Sequence, residues 1–260
     1  MPALEGFHPA DAFQAAAPVF LAALLRQRDG LAAIAPDPSL TTAQDLLRML
    51  RGRQAKPAEA AALDAYLTTV SDHGFNASTF TARVVASTQV GVGPSAVAAL
   101  AALEGPLHGG APGPVLDMLD GIGGRENIKP WLEARLTSGE RLMGFGHRVY
   151  KVRDPRADVL KGAVRTLSRD AGRLAFAEQV EADAIAILAR VKPGRRLDTN
   201  VEFYTALLLE ALAIPRAAFT AIFAVGRMAG WTAHALEQAR DGRLIRPLSR
   251  YVGPLPKEAA

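Results

Sequence analysis

The sequence predicts an all-α protein, and three observations carry that expectation. Hydrophobic residues make up 49% of the 260, with Ala and Leu prominent and aromatics at only 6%. Alanine and straight side chains favour helices, whereas β-branched and aromatic residues lead in strands. Clusters of Gly and Pro at 35–38, 105–114, 121–124 and 193–194 mark turns and boundaries between helical stretches. Capping residues stand where several of those pieces begin.

The elements follow in order. Residues 10–30 read as a helix with Pro18 near its start or kinking it. Thr41 or Thr42 caps a helix running to about Leu50, and Pro57 opens the next, over 58–71. Asn76 or Ser78 caps the helix that carries Arg83. A short helix over 114–120 ends at Gly121-Ile122-Gly123-Gly124, whose spacing is not a nucleotide fingerprint. A helix over 126–138 comes next, then one or two charged amphipathic helices over 157–191, interrupted near Gly172. Glu202 enters an apolar helix over 203–213, and Pro215 opens a long helix to about Arg240. Residues 243–254 form a short basic arm that ends in proline.

Composition excludes several classes of function. The chain has no cysteine, hence no disulfide, thiolate metal site or cysteine nucleophile. The formal charge of +4 suits anionic small molecules and is too small and scattered for nucleic acid. The apolar run at 15–25 is too short to span a bilayer, and 205–225 contains Glu210, Pro215 and Arg216. With no basic region followed by an apolar core at its start, a soluble cytoplasmic protein is the expectation.

Three polar stretches stand out. In Met143-Gly144-Phe145-Gly146-His147-Arg148-Val149-Tyr150-Lys151, glycines flank a histidine, and Arg148, Lys151, Arg153 and Arg156 gather cations near it. Such a loop can approach a ligand closely and hold carboxylates or phosphates; a solvated basic loop is the plainer reading. His73 lies in a second stretch, 71–80, where it serves a ligand or a helix end. His108 lies in the third, 105–114, just before the helix over 114–120. A helix N-terminus disfavours added positive charge, so its imidazole is expected to stay neutral and donate a hydrogen bond. Glu202, in the first turn of its helix, is a base for a carbon-bound proton or a charge favoured by the helix dipole. Arg227, in an apolar helix with His234 on the same face, needs a partner: a structural carboxylate or an anionic ligand.

The motifs Ser71-Asp72-His73-Gly74-Phe75-Asn76-Ala77-Ser78-Thr79-Phe80, Gly105-Pro106-Leu107-His108-Gly109-Gly110, Gly144-Phe145-Gly146-His147-Arg148-Val149-Tyr150-Lys151 with Asp154-Pro155-Arg156, Asn200-Val201-Glu202-Phe203-Tyr204 and Arg243-Leu244-Ile245-Arg246-Pro247 stand in an order that resembles the citrate synthase family in its short bacterial and archaeal form. The resemblance runs from roughly residue 20 to 254. It implies an all-α homodimer of two domains, with 1–108 and 208–260 in a large domain and 109–207 in a small inserted one. It implies condensation of acetyl-CoA with oxaloacetate, using the CoA thioester as substrate and no further cofactor or metal. His108, His147 and Glu202 take the catalytic roles. His73, Arg156 and Arg227 hold oxaloacetate, with Arg246 supplied across the dimer. Met143, Gly144, Phe145, Gly146, Arg148 and Lys151 contact CoA. A 2-methylcitrate synthase using propionyl-CoA, and a non-catalytic or partner-dependent homologue, are the alternatives.

Overall fold

Local signals set most helix boundaries. In the computed structural model, which describes residues 8–105, 108, 112–146, 153–167 and 171–253, eleven helices follow one another: α1 Pro9–Arg28, α2 Thr42–Arg51, α3 Pro57–Val70, α4 Ala77–Ala86, α5 Val92–Leu103, α6 Pro112–Ile122, α7 Ile128–Thr137, α8 Pro155–Leu167, α9 Ala171–Val191, α10 Val201–Ala211 and α11 Phe219–Asp241. Among the described residues there is no strand, only one antiparallel bridge between Phe145 and Thr199.

Thr41, not Thr42, is the cap of α2. Its hydroxyl accepts from the Gln44 N–H at 3.3 Å while the Gln44 side chain accepts from the Thr41 N–H at 3.0 Å. Gly52 closes that helix in the left-handed region, φ +71°. Pro57 is the first residue of α3. Asn76 caps α4, accepting from the Thr79 N–H at 3.0 Å. Pro18 sits buried inside α1 without ending it.

Two elements correct the sequence reading, and a third decides between alternatives it left open. α5 has no cap side chain and no charged residue, so nothing local announced it; Gly91, at φ +97°, turns the chain into it. Pro215 opens no long helix. Its backbone is extended (ψ 137°), a single 3₁₀ turn follows at Arg216–Ala218, and α11 starts at Phe219. The charged region 157–191 is two helices, α8 and α9, on either side of 168–170.

Two apolar clusters hold the helices. The larger joins Leu46, Leu63 and Tyr66 to Leu116, Leu160, Ala177, Phe203, Leu208 and Ile222, so α2 and α3 share a core with α6 and α8 to α11. The smaller packs α4, α5 and α11 through Ala82, Ala99, Leu103, Met228 and Trp231, with Phe13 of α1 against it. Burial at about 25 cal/mol per Å² makes these clusters the main source of stability. No helix among the described residues is long and apolar enough to cross a membrane.

Candidate active site

In its described part, the Gly-rich loop is fastened at Gly144 and Gly146 to the segment that enters α10. The Gly146 N–H donates to the Asp198 carbonyl at 2.8 Å, the Asn200 N–H to the Gly144 carbonyl at 2.9 Å, and the Asn200 side-chain amide to the Gly146 carbonyl at 2.9 Å. Both glycines have φ above +80°, a region that strains other residues. A Cβ on Gly144 would lie 2.9 Å from Phe203, and one on Gly146 2.9 Å from Leu197. The glycines therefore let the loop press onto α10. Asn200 also caps that helix, its side-chain oxygen accepting from the Glu202 N–H at 3.0 Å.

Asp154 links this loop to Arg156. One carboxylate oxygen accepts from the Arg156 backbone N–H at 3.1 Å and its Nε at 3.0 Å; the other accepts from Arg156 Nη2 at 2.8 Å and from the Val201 N–H at 3.1 Å. One buried carboxylate thus orients a guanidinium and the start of α10. Burial alone would raise its pKa, but these hydrogen bonds and the Arg156 charge outweigh it and hold the carboxyl below its usual range. Glu202 lies on the next residue of α10 in the opposite condition. Burial pushes it up to about 7; the Arg156 charge pulls against that shift and the Asp154 charge adds to it. The two acids thus divide into a fixed anion and a group that exchanges protons near neutrality.

The facing wall is built by α11 lying on the end of α3. A Cβ on Gly226 would meet Val70 at 2.6 Å and one on Gly230 would meet the Ser71 carbonyl at 2.3 Å, so only glycine permits this approach. The contact brings Arg227 Nε to 2.6 Å from the Val70 carbonyl and sets its guanidinium 4.7 Å from the centre of the Phe223 ring. Arg227 is 2% exposed, and among the described residues no carboxylate pairs with it. Burial, with the Arg156 charge nearby, lowers it to about 10. Two guanidinium charges thus lie near enough to act on each other, and among the described residues the buried one has no carboxylate ion-pair partner. Two neighbouring guanidiniums suit an anion with more than one charge.

His108 lies near enough to feel the Arg227 charge. The Ser78 N–H, in the first turn of α4, points at His108 Nε2 from 3.3 Å, and Ser78 Oγ lies 2.9 Å from it. Trp231 Nε1 donates to that hydroxyl at 3.1 Å. An N–H aimed at Nε2 requires a lone pair there, so the proton sits on Nδ1. Burial and the charge of Arg227 lower the imidazole's pKa. Burial and Arg227 thus favour the neutral imidazole, and the Ser78 N–H at the start of α4, thirty residues earlier, sets which nitrogen carries the proton.

The structure brings together His108, Arg156, Glu202 and Arg227, with Gly144, Phe145 and Gly146 beside them. Met143 is half-buried at the start of that loop. His73 is half-buried in the link between α3 and α4, next to Asp72, whose carboxylate lies 3.1 Å from His234 Nε2. His147, Arg148 and Lys151 lie outside the described residues. Arg246 is exposed on the arm after α11. Sequence reading missed Asp154 and Ser78 as site-building residues. An aspartate just before a proline that opens a helix was the available signal for the first; Ser78 had none beyond its place in α4. Also missed was a cavity of about 410 Å³ lined by Lys192, Arg195, Arg196 and Leu197, adjoining the segment that holds Gly146.

The described residues define an all-α protein in which an imidazole of lowered pKa, a near-neutral carboxyl and two neighbouring guanidiniums lie close together. Comparison with known proteins narrows this. The family described as citrate synthase, C-terminal domain, matches residues 4–248, and the chain belongs to the citrate synthase family. A protein named putative citrate synthase 2 of Mycobacterium tuberculosis is 47% identical over 201 residues, covering 77% of this chain and 53% of that protein. Citrate synthase 2 of Bacillus subtilis is 43% identical over 241 residues, covering 93% and 64%. The crystal structure of Thermotoga maritima citrate synthase superposes with a TM-score of 0.82 at 36% identity, covering 94% of this chain and 66% of that one. The Thermoplasma acidophilum citrate synthase, solved in ternary complex with carboxymethyl coenzyme A and oxaloacetate, gives 0.86 at 31%, covering 96% and 67%. The chain thus spans about half to two thirds of the length of these relatives.

Proposed function

We propose that this chain catalyses the condensation of acetyl-CoA with oxaloacetate to give citrate and CoA. The observation that carries the reading is the Glu202 carboxyl, raised to about 7 on the turn clamped beside Arg156. The Nδ1–H of His108 donates to the thioester carbonyl oxygen. Glu202 takes a proton from the acetyl methyl group, and the resulting enol or enolate is stabilised by that donor. Its carbon attacks the keto carbon of oxaloacetate, whose oxygen becomes the hydroxyl of citryl-CoA with His147 as proton donor. Water then cleaves the thioester, releasing citrate and CoA. A preorganised donor to a developing oxyanion contributes about 3–4 kcal/mol in enzymes of comparable design.

Arg156 and Arg227, with His73, hold the two carboxylates of oxaloacetate. Met143, Gly144, Phe145, Gly146, Arg148 and Lys151 contact CoA, and the cations around the adjoining cavity suit its phosphates. Residues 109–207 form the small domain between the two parts of the large one. The chain works as a homodimer without a further cofactor, with Arg246 reaching the partner's oxaloacetate. The arm supports this: Leu244, Leu248 and Val252 are 60%, 97% and 90% exposed, side chains that a second subunit would cover.

Release of free CoA from acetyl-CoA and oxaloacetate by the purified chain tests the reading, with propionyl-CoA in parallel. Turnover with acetyl-CoA preferred supports it. A preference for propionyl-CoA makes the chain a 2-methylcitrate synthase. No turnover from a folded chain that binds oxaloacetate overturns it in favour of a partner-dependent homologue.

A further inference from the structure

One buried ionisable group plays no part in that chemistry. Glu181 lies in the middle of α9 and is 5% exposed. Thr199 Oγ1 donates to one of its oxygens at 2.7 Å, and Arg153 Nη1 lies 2.9 Å from the same atom. Lys161 Nζ donates to the other at 2.9 Å, and the Tyr204 hydroxyl also donates to it. Burial would raise this carboxyl, but hydrogen bonds from Tyr204, Thr199 and Lys161 and the charge of Arg153 outweigh it, and the group stays ionised. Glu178, one turn earlier on α9, shares Lys161 at 3.4 Å but lies further out, paired with the more exposed Arg165.

Stability does not require this arrangement, since well-packed apolar residues commonly replace a buried ion network with no loss. Its partners suggest another purpose. Thr199 is three residues before Glu202 and Tyr204 two after, so one carboxylate grips the first turn of α10 on both sides of the proposed base. Arg153 adjoins Asp154, which orients Arg156 and receives the Val201 N–H. The other fastenings of this turn, from Asn200 and Asp154, come from loop or helix-end residues. Among the described residues, Glu181 alone hydrogen-bonds it from the body of a long helix whose Ala177, Val180, Ala184 and Leu188 are in the core.

We propose that Glu181 is a positioning residue for Glu202, holding the base at fixed distance and angle to Arg156 from the rigid frame of α9. The inference rests on Glu202 being the base assigned above. Misplacement of a reacting group by about 1 Å lowers rates by up to about a hundredfold. Glu181→Gln is therefore expected to lower kcat about tenfold to a hundredfold while KM for oxaloacetate stays within about threefold, because Arg156 keeps its own clamp in Asp154. As the turn loosens and water reaches Glu202, the acidic limb of the kcat profile moves to lower pH.

Three further variants separate position from charge. Thr199→Val and Tyr204→Phe each remove one donor without altering charge, and are expected to shift kcat and the acidic limb in the same direction by less. Glu178→Gln removes a charge one turn away on α9 and is expected to leave both unchanged. Titration of Glu202 by ¹³C NMR of carboxyl-labelled protein, assigned with Glu202→Gln, supplies a readout independent of turnover. The proposal falls if folded Glu181→Gln keeps the parent kcat and acidic limb, or if Glu178→Gln moves them equally. If Glu181→Gln does not fold, the Thr199 and Tyr204 variants decide by the same criteria. If the parent chain turns over neither acyl-CoA, the Glu202 titration decides. A titration that shifts in Thr199→Val and Tyr204→Phe upholds the positioning role while the assigned reaction fails; one that is unmoved overturns the role.

Discussion

The two walls of the site hold their charged groups by different physics. Around α8 and α10, position comes from buried carboxylates: Asp154 and Glu181 gather N–H and O–H donors from segments far apart in sequence. Around α3 and α11, position comes from shape: Gly226 and Gly230 let two helices touch, and the buried Arg227 is held by a carbonyl and an aromatic ring. Polar clamps fail when a charge or donor is lost, and close packing fails when volume is added. The lesson is that substitutions similar in size should have opposite consequences on the two walls.

The largest expected effect tests the polar wall at its reacting group. Glu202→Gln should lower kcat by about 10²–10⁴-fold, the usual contribution of a general base, with oxaloacetate affinity nearly unchanged by calorimetry. It also carries a pH signature. The folded-state pKa of about 7 exceeds the unfolded value near 4.5, so the native protein loses stability as pH rises between those values and stays lower above them. The difference corresponds to at most about 3 kcal/mol. Glu202→Gln should therefore raise the melting temperature at pH 8 and leave it unchanged near pH 4, as read by calorimetry at the two pH values.

Asp154→Asn tests the clamp itself. It removes the charge of the Asp154–Arg156 pair and weakens the bond to the Val201 N–H, for an expected loss of about 3–5 kcal/mol in denaturant unfolding. A loss below about 1 kcal/mol would mean that the loop re-forms around another acceptor.

On the packed wall, Gly230→Ala places a methyl group 2.3 Å from the Ser71 carbonyl and should destabilise by about 1–3 kcal/mol, with weaker oxaloacetate binding because His73 and Arg227 move apart. The smallest effect has the opposite sign. Gly162, inside α8, has nothing within 4 Å of where a Cβ would stand, so Gly162→Ala should stabilise by about 0.5–1 kcal/mol without changing kcat. If both glycine substitutions had the same sign, close approach would not be what holds α11 on α3.

Much of the fold was legible because its signals are local. Thr41, Pro57 and Asn76 mark helix starts through contacts made within three residues, and those starts stand where the sequence placed them. α5 left no such mark, because it has neither a cap side chain nor a charge to show where it begins, and its packing on α4 and α11 is not visible in the sequence. Pro215 misled for the reverse reason: its fixed φ allows a helix start, but the chain continues extended before turning. In the site, Glu202 at the start of α10 and Arg227 within α11 were readable as charges in apolar surroundings. The glycines beside His147 were readable as a loop built for close approach.

The sequence by itself determined the helical class, most helix starts, the family, and the residue types from which the site is built. These depend on short-range propensity and on motifs contiguous in the chain. Only the tertiary structure decided the state of each group. Ser78, thirty residues before His108, fixes which ring nitrogen carries its proton; Asp154 and Glu202, two carboxyls of one chemistry, are driven to opposite protonation behaviour. The physical reason is that burial and hydrogen bonding set a pKa, and both are properties of what surrounds a side chain in space, which no stretch of sequence contains.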